Sequence, residues 1–336
     1  MKLLRFDDWQ TGVLVEAGDA ASVLDVARSL AAFRLIDAPS AAVLSTPFGT
    51  TGAIGWAPLI DDWPRVGPAL QAMRDAALVD RGKRLALQPL ASIHLQAPLP
   101  SPHVRIWALG GNLASHQAAV ARKLTGDASI TVESIMAEKT AGMPPWGFTV
   151  FPETVVGPGA SVAPPTGITK FDYEAEVAVI LAGGGRNLSA SEVRVWGYTA
   201  WNDLSIRDGR LGIGPPLHRG AFNWAVEKNF ESGNSCGPWV VVDEPHDAQS
   251  VRVRMRVNGQ TRQDWSTADM MYSFGETASF LSRFMRLRSG DMIASGTGHG
   301  TAAEYGRDGD RWLRPGDKLE VEVEGVGVLR NNVATW

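Results

Sequence analysis

The sequence predicts an α+β fold in which strands predominate and a smaller N-terminal unit precedes a larger one. After residue 151, short apolar stretches of strand length alternate with turns rich in glycine and proline. Residues 97–102 (APLPSP) form a stiff connector, because each proline fixes φ and lacks an N–H donor. The composition is globular, with 44% apolar and 20% charged residues, which excludes a disordered, collagen-like or coiled-coil chain. We therefore expect an N-terminal domain over 1–100 and a larger domain over 101–336.

Three stretches of the N-terminal domain carry recognisable patterns. Residues 12–17 predict a strand that ends at a Gly-Asp turn. Residues 20–33 place apolar side chains at helical spacing, so we expect a helix there. Residues 85–95 have an extended character, and Pro89 within them predicts an edge strand or two short pieces.

The larger domain begins with a predicted strand over 104–109 and a predicted helix over 113–124. Residues 125–150 show no regular pattern, because Gly142 and two consecutive prolines interrupt them, and we expect a mobile segment there. The later elements are predicted strands over 174–181, 239–242, 252–257 and 318–323, and a predicted helical region over 266–287.

Charge and cysteine content narrow the class of protein. The net charge of −4 argues against a nucleic-acid partner, since phosphate binding requires a basic face. The single cysteine, Cys236, has no internal partner for a disulfide, which fits a reducing compartment. Asp7 and Asp8 interrupt the first apolar stretch, so we expect no secretory signal, and no uncharged apolar run reaches the ~20 residues that span a membrane. These features predict a soluble, cytoplasmic protein without a membrane partner.

The segment FDYEAEVAVIL (171–181) carries the most informative charge pattern. Period-two geometry places Asp172, Glu174 and Glu176 on one face of a strand that continues as a buried apolar run. Carboxylates at the entrance of a buried strand are costly unless they are paired or bind a cation. Their hard oxygen ligands favour Mg²⁺, Mn²⁺ or Ca²⁺ over zinc. An edge strand with a solvated acidic face explains the same spacing.

The segment GYTAWNDLSIRDGR (197–210) adds further polar groups. Asp203 is a candidate third oxygen ligand, and Arg207 has the planar guanidinium that grips carboxylates in a bidentate way. A polar turn with an internal Asp–Arg pair is the alternative. Lys228, before a Gly-Pro turn, indicates little by itself.

These segments and several others follow one another in a characteristic order. They are PLPSPHVRIWALGGNLASH, ETVVGPGASVAPP, FDYEAEVAVIL, GYTAWNDLSIRD, KNF with CGPWVV, SGTGHG, and EVEGVGVLRNNV. Together they resemble the fumarylacetoacetate hydrolase family over roughly residues 103–333. The resemblance implies a mainly β catalytic domain built as a mixed β-sheet roll, a small N-terminal domain and a homodimer.

The resemblance also implies a metal site and a substrate class. It assigns Glu174, Glu176 and Asp203 to a divalent cation, Mg²⁺ or Mn²⁺, with Ca²⁺ as a further choice. The small-molecule substrate is a 2-oxo acid that chelates the ion. Lys228 and Arg207 are then expected to contact substrate oxygens during catalysis, and Thr297 to bind the carboxylate end.

The chain departs from the family pattern near the expected base. His116 matches the family's catalytic histidine, but Ala119 stands where many members carry the glutamate that pairs with it. Glu133 and Glu138 are the preferred replacements, and Glu304 is a further candidate.

Two further positions near the expected substrate differ from the family pattern. Arg210 replaces a substrate-contacting glutamine of several hydrolases, and His299 is unusual beside the Gly-Thr turn. Each is a candidate substrate-binding residue. The alternative for Arg210 is an ordinary surface arginine, and for His299 a turn histidine without a role.

The leading functional expectation is a metal-dependent hydrolase that cleaves a carbon–carbon bond in a 2,4-dioxo acid of the acylpyruvate or fumarylacetoacetate type. The alternatives are a decarboxylase, a tautomerase or a sugar-acid dehydratase acting on a metal-chelated 2-oxo acid, and a non-catalytic protein that binds a metabolite. Hydrolysis requires a water activated by a general base, which the other reactions do not need. We also expect residues 116–150 to act as a lid over the metal.

Overall fold

The computed structural model describes residues 1–18, 20–30, 55–80, 85–208, 221–243, 247–306 and 310–336. Its strands are β1 (Lys2–Phe6), β2 (Gln10–Ala17), β3 (Ala20–Asp25), β4 (Leu87–Pro89), β5 (Leu95–Gln96), β6 (Ile106–Leu109), β7 (Gly147–Val150), β8 (Val155–Val156), β9 (Ser161–Val162), β10 (Phe171–Asp172), β11 (Ala175–Ala182), β12 (Arg194–Asp203), β13 (Ser205–Ile206), β14 (Asn234–Val242), β15 (Arg252–Val257), β16 (Gln260–Ser266), β17 (Met292–Ala294), β18 (Lys318–Val323) and β19 (Gly327–Val333). Its α-helices are α1 (Val26–Ser29), α2 (Ala57–Asp61), α3 (Trp63–Asp80), α4 (Ala114–Thr125), α5 (Val132–Thr140), α6 (Ala221–Lys228) and α7 (Phe274–Phe284).

Two sheets form the framework of the fold. The larger has the order β4-β3-β2-β1-β14-β12-β11-β17-β6-β7, with β5 beside β1 and β8 beside β14. The smaller has the order β16-β15-β18-β19-β9, and β10 pairs with β13. Parallel pairs such as β17 with β6 occur beside antiparallel pairs such as β11 with β12, so the larger sheet is mixed, as expected.

β11 lies in the larger sheet and is buried on both faces. Val177 and Val179 join the core that includes Val253 of β15 in the smaller sheet. Ala178 and Ile180 belong to a second cluster, which contains side chains of α2 and α3. Because both faces are covered, residues 177–181 of the strand form an unbroken apolar run rather than an alternating one.

The N-terminal strands extend the larger sheet. β1 pairs antiparallel with β14, with Lys2 opposite Val241. The proline-rich connector is held against β1, because the guanidinium of Arg5 donates to the backbone carbonyls of Leu99 at 2.6 Å and Pro100 at 3.0 Å. The division of the chain at residue 100 remains a prediction.

The predicted helix over 20–33 is wrong in its first part. Residues Ala20–Asp25 form β3, which pairs with β2 in a hairpin, and the helix α1 covers Val26–Ser29. Residues 31–33 lie outside the described part of the chain. Val23 and Leu24 are both fully buried, so the strand lacks the alternation that would have identified it. Asp25 begins α1 by accepting a hydrogen bond from the Arg28 amide, a capping signal that apolar spacing does not show.

Other strands and helices predicted from the sequence are confirmed, with two corrections. Residues 85–95 form two short strands, β4 and β5, and β6 and α4 occupy the predicted strand and helix. Residues 125–150 were expected to be irregular and instead contain α5 and β7. Thr131 and Ser134 form a capping box that begins α5, and β7 pairs with β6 at the edge of the larger sheet. The helical region over 266–287 shortens to α7, because Ser273 caps its first turn.

None of the helices among the described residues combines the length and the apolarity that crossing a lipid bilayer requires.

Candidate active site

Three buried carboxylates meet at one end of β11. Glu174 immediately precedes this strand, Glu176 is its second residue, and Asp203 ends the neighbouring strand β12. The Asp203 amide donates to the Glu174 carbonyl at 2.9 Å, which places the end of β12 opposite the start of β11. One oxygen from each carboxylate lies within 4.8 Å of the others. The structure therefore brings together the three carboxylates that the sequence analysis assigned to a metal.

Two buried cations stand among these carboxylates. Lys228, the last residue of α6, donates from Nζ to Asp203 Oδ2 at 2.8 Å and also to Glu174. Arg207 donates from Nε to Asp172 Oδ2 at 3.1 Å and from Nη2 to Glu174. Four carboxylates face two cations, so two negative charges remain when all six groups are ionised. One divalent cation would neutralise that excess.

Within the acidic triad of Glu174, Glu176 and Asp203, the pKa values of two carboxyls are raised and that of the third is lowered. Burial raises the pKa of Glu176 well above its usual range, and the charges of Asp203 and Glu174 raise it further. Burial likewise raises the pKa of Asp203, to about 6, although Lys228 opposes this shift. For Glu174 burial also acts upward, but Arg207 and Lys228 outweigh it and hold its pKa below the usual range.

The donor set fits a hard divalent cation. Glu176 Oε1 and Asp203 Oδ1 are buried, and neither has a hydrogen-bond partner among the residues that the structure describes. An unpaired buried carboxylate oxygen is costly, and a bound cation removes that cost. Glu176 Oε2, in contrast, accepts the Gly296 amide at 3.0 Å, which orients the carboxylate. Three carboxylates without a nitrogen or sulfur ligand are typical of Mg²⁺, Mn²⁺ or Ca²⁺ sites.

A histidine–carboxylate pair lies beside the triad. His116, in the first turn of α4, contacts Glu304 through Nδ1 and Oε1 at 2.6 Å, and both side chains are largely buried. His116 is also close enough to Glu174 to contribute to lowering the pKa of that carboxyl. Glu304 therefore replaces the partner that is missing at Ala119. The preference for Glu133 and Glu138 is wrong for this structure, because both residues are exposed on α5.

The turn that carries His116 is fixed by a residue that the sequence analysis missed. Asn112 donates from Nδ2 to the carbonyls of Tyr272 and Ser295, and its Oδ1 accepts the Tyr272 amide. A buried asparagine that satisfies three backbone groups sets the path of the chain between β6 and α4. Its position directly before the helix that bears the histidine is the only sequence signal for this role.

Thr297 is buried, and its hydroxyl already has partners. Its Oγ1 donates to the Ala175 carbonyl at 3.0 Å and accepts from Gln263 Nε2 at 2.8 Å. Gln263 also donates to the Gly298 carbonyl and accepts the Ala175 amide, so it joins the Gly-Thr turn to β11. A hydroxyl has one proton to donate, so this one would have to leave Ala175 before it could donate to a substrate carboxylate. Substrate binding by Thr297 remains a prediction.

The remaining candidates are less well placed or lie outside the described residues. His299 is exposed in the turn after Thr297. Arg210 lies outside the part of the chain that the structure describes. A cavity of about 700 Å³, lined by Trp63 and Trp196 among others, lies at the opposite end of β11 and is not part of this site.

The comparison with known families finds a match over about two thirds of the chain. The sequence pattern of the fumarylacetoacetate (FAA) hydrolase C-terminal domain covers residues 105–334. The chain belongs to the fumarylacetoacetate hydrolase family. This match confirms the resemblance, and it contains every residue of the acidic triad and of the His116–Glu304 pair.

Two relatives are known by their activities. Oxaloacetate tautomerase YisK of Bacillus subtilis is 31% identical over 251 residues, covering 73% of this chain and 74% of the relative. A 4-hydroxyphenylacetate degradation bifunctional isomerase/decarboxylase of Escherichia coli is 31% identical over 239 residues, covering 70% of this chain and 48% of the relative. The chain is thus an enzyme of a family whose named members act on oxo acids.

Solved structures share the whole fold. A putative HpcE protein from Mycobacterium smegmatis matches with a TM-score of 0.68 and 24% identity over 100% of both chains. Maleylpyruvate hydrolase from Sphingobium, in complex with manganese (II) ion and pyruvate, matches with a TM-score of 0.66 and 22% identity over 99% of both chains. At these identities the likeness confirms the fold class.

Proposed function

We propose that this enzyme is a divalent-metal-dependent hydrolase that cleaves the carbon–carbon bond of a 2,4-dioxo acid of the acylpyruvate type. The observation that carries the proposal is the 2.6 Å contact between His116 and Glu304 beside the buried triad. Hydrolysis needs a base that is oriented by a second group, and this pair meets that requirement without the family's usual glutamate.

Glu174, Glu176 and Asp203 would hold the cation, Mg²⁺ or Mn²⁺ with Ca²⁺ as a further choice. The two buried oxygens without partners support this assignment. Bound there, the ion would act as a Lewis acid that polarises the 2-oxo group of the substrate and favours its enolate. Manganese with pyruvate in the Sphingobium hydrolase is consistent with this chemistry.

His116 would serve as the general base. With Nδ1–H donating to Glu304 Oε1 across the 2.6 Å contact, the other ring nitrogen, Nε2, would keep its lone pair and could take a proton from water. The hydroxide adds to the carbonyl at C4, and the C3–C4 bond then breaks with its electron pair passing to C3. C3 takes up a proton, and the products are pyruvate and one carboxylic acid for each water consumed.

Lys228 and Arg207 would bind substrate oxygens while they orient the carboxylates. Lys228 Nζ has three donors; two are given to carboxylates, and the third meets the Asp203 carbonyl at a long 3.5 Å. A substrate oxygen can replace that weak contact without disturbing the two ion pairs. Preorganised donors of this kind stabilise the negative charge that develops during attack on a carbonyl.

A second candidate function is keto–enol tautomerisation or decarboxylation of a 2-oxo acid. The names of the relatives favour it, since they include an oxaloacetate tautomerase and an isomerase/decarboxylase. The same His116 would then move a proton at C3, and no water would be consumed.

The homodimer and the cytoplasmic location expected from the sequence belong to the proposal as well.

The decisive experiment follows the atoms of the reaction. Acylpyruvates and oxaloacetate are incubated with the Mg²⁺- or Mn²⁺-loaded enzyme in water enriched in oxygen-18, and the products are analysed by mass spectrometry. Hydrolysis places one heavy oxygen in the released carboxylic acid, decarboxylation releases carbon dioxide, and tautomerisation yields neither product. Absence of labelled acid from every acylpyruvate, together with rapid conversion of enol-oxaloacetate, would replace the hydrolase proposal by the second candidate.

Substitutions connect the outcome to the site. Glu304→Gln and His116→Gln should each remove most of the labelled acid while Mn²⁺ binding, measured by calorimetry, is unchanged. Glu133→Gln and Glu138→Gln are matched controls on the exposed face of α5 and should retain full activity.

A further inference from the structure

The carboxylate that orients His116 is carried by a short 3₁₀ helix, Ala302–Tyr305. The first two amides of this helix point at a buried side chain from another part of the fold. Asp172 accepts the Ala302 amide through Oδ1 at 2.7 Å and the Ala303 amide through Oδ2 at 3.2 Å. The contact joins residues that are 130 positions apart in the chain.

Asp172 has further partners on the ligand-bearing side of the site. Its Oδ2 accepts Arg207 Nε at 3.1 Å, and its Oδ1 accepts the Tyr173 amide at 2.9 Å. The side chain is completely buried and accepts four donors, which uses the full capacity of an ionised carboxylate. It lies two residues before Glu174, so it is anchored to the strand that presents the triad.

We propose that Asp172 is a positioning residue that holds Glu304 against His116 and so fixes the position of the general base relative to the metal site. Its kinetic consequences rest on the proposed function. The helix that carries Glu304 is otherwise connected to the ligand strand by Tyr173, whose hydroxyl donates to the Gly300 carbonyl at 3.0 Å. The Gly300 amide in turn donates to Glu304 Oε1 at 2.9 Å. Asp172 thus forms the charged part of a bridge between base and ligand strand.

The chemistry of the contact explains why an aspartate is required. Each oxygen of Asp172 accepts two donors, so an asparagine of the same shape would present an NH₂ group to two of the four donors, and those two would lose their partner. The 3₁₀ helix would then shift relative to β11. Small displacements of a base lower the rate strongly because proton transfer depends on close approach.

Asp172→Asn tests the proposal, with Asp208→Asn as the matched control. Asp208 is also a buried carboxylate that accepts backbone amides, from Thr169 at 3.0 Å and Lys170 at 2.9 Å, but its contacts do not involve the Glu304 helix. We expect Asp172→Asn to lower kcat about 10- to 100-fold, with Mn²⁺ affinity unchanged. KM should stay within about threefold of its original value. Asp208→Asn should leave kcat unchanged, and an equal loss in both variants would overturn the proposal.

A double-substitution cycle separates action through Glu304 from action through Arg207. If Asp172 acts by holding Glu304, the combined variant Asp172→Asn/Glu304→Gln should be no slower than Glu304→Gln alone. If the two losses multiply, Asp172 acts by another route and the proposal is wrong.

The ring of His116 supplies a readout that needs no turnover. In protein labelled with ¹⁵N-histidine, and with the signal assigned from its loss in His116→Gln, the original protein should show a single Nδ1–H tautomer. Asp172→Asn should change this signal as Glu304→Gln does, and Asp208→Asn should not. An unchanged His116 signal in Asp172→Asn would refute the proposal, whereas failure of every substrate with a normal tautomer response would refute only the proposed function.

A second variant covers the case in which Asp172→Asn does not fold. Ala302→Pro removes the amide that donates to Asp172 from the other side, and proline is tolerated at the first position of a helix. Thr301, with φ −63° and ψ 157°, already has the conformation that precedes proline. This variant should change the His116 signal in the same direction, and a normal signal with normal kcat would count against the bridge.

Discussion

Two clusters in this protein pair carboxylates with basic side chains and differ in burial. The acidic triad with Lys228 and Arg207 is buried at the end of β11. On the outer face of the smaller sheet, arginines of β15 alternate with carboxylates of β16 and β18, as in the pairs Arg252–Asp264 and Arg256–Glu322. These outer groups are partly solvated and fully paired, and hydrogen bonds from the arginines hold the pKa of Asp264 and Glu322 below their usual values.

The two clusters differ in whether the folded protein favours the ionised form of their carboxylates. In the outer cluster each ionised carboxylate is favoured by its partner, as expected for ion pairs on a half-exposed sheet. In the triad burial raises the pKa of Glu176 and Asp203, so the folded chain alone does not favour their ionised forms. If the triad binds a cation as proposed, the ion would offset the cost of ionising these groups in the folded protein.

The largest expected effect comes from removing one ligand of the triad. Glu176→Gln should lower metal-dependent activity by at least about 10³-fold, since the site loses a charged oxygen that orients and binds the cation. The same change should leave the metal-free protein as stable as before or more stable, because it removes a buried charge beside Asp203. Activity assays and urea denaturation of the metal-free protein check both parts. Full activity, or a clear loss of metal-free stability, would contradict this contrast.

Addition of the metal should stabilise the protein through the triad alone. After treatment with EDTA, Mn²⁺ at about 100 times its Kd should raise the free energy of unfolding by about 2.7 kcal/mol. Thermal denaturation with and without Mn²⁺ measures this effect in the original protein. Glu176→Gln should show little response, whereas Glu322→Gln in the outer cluster should respond as the original protein does.

The two clusters should respond to pH in opposite directions. Asp203 has an ordinary pKa of 3.8 that rises to about 6 on folding, so its contribution to the stability of the metal-free protein should fall as the pH increases through this range. The pKa of Glu322 is lowered from 4.5 on folding, so its contribution is present above that value and is lost as the pH falls. Denaturation curves are recorded from pH 3.8 to 6 for Asp203→Asn and from pH 4.5 downward for Glu322→Gln. Compared with the original protein, they give the slope of the free energy of unfolding against pH that each carboxyl contributes. Equal slopes would show that burial does not distinguish the clusters.

The smallest effect is expected from the outer cluster itself. Glu322→Gln or Asp264→Asn should change the free energy of unfolding by less than about 1 kcal/mol and leave kcat unchanged, since exposed ion pairs contribute little. The effect should shrink further in high salt. A loss of stability clearly above about 1 kcal/mol, or a fall in kcat, would contradict the expected difference between the two clusters.

Much of the site could be predicted because several of its residues lie close together in short segments of the sequence. Glu174 and Glu176 alternate with apolar residues at the start of a buried strand, and a period of two sends both to one face. Asp203 and Arg207 lie four residues apart in one segment, and the family resemblance assigned their roles. Asp172, the third acidic residue of this segment, was placed on the same face, but in the structure it belongs to β10 and is paired with Arg207 and with backbone amides.

The sequence by itself indicated the strand-rich fold class and the buried nature of β11, since both are matters of local periodicity, and its resemblance to a known family assigned the three carboxylates of the candidate metal site. The tertiary structure decided which groups meet across the chain. His116 and Glu304 are 188 positions apart, and Glu133 and Glu138 are nearer in sequence but exposed on α5. The strand at Ala20–Asp25 likewise depends on its pairing with β2, since its own apolar spacing also fits a helix. Local patterns restrict only neighbouring residues, whereas contacts between distant segments are selected by the packing of the whole fold.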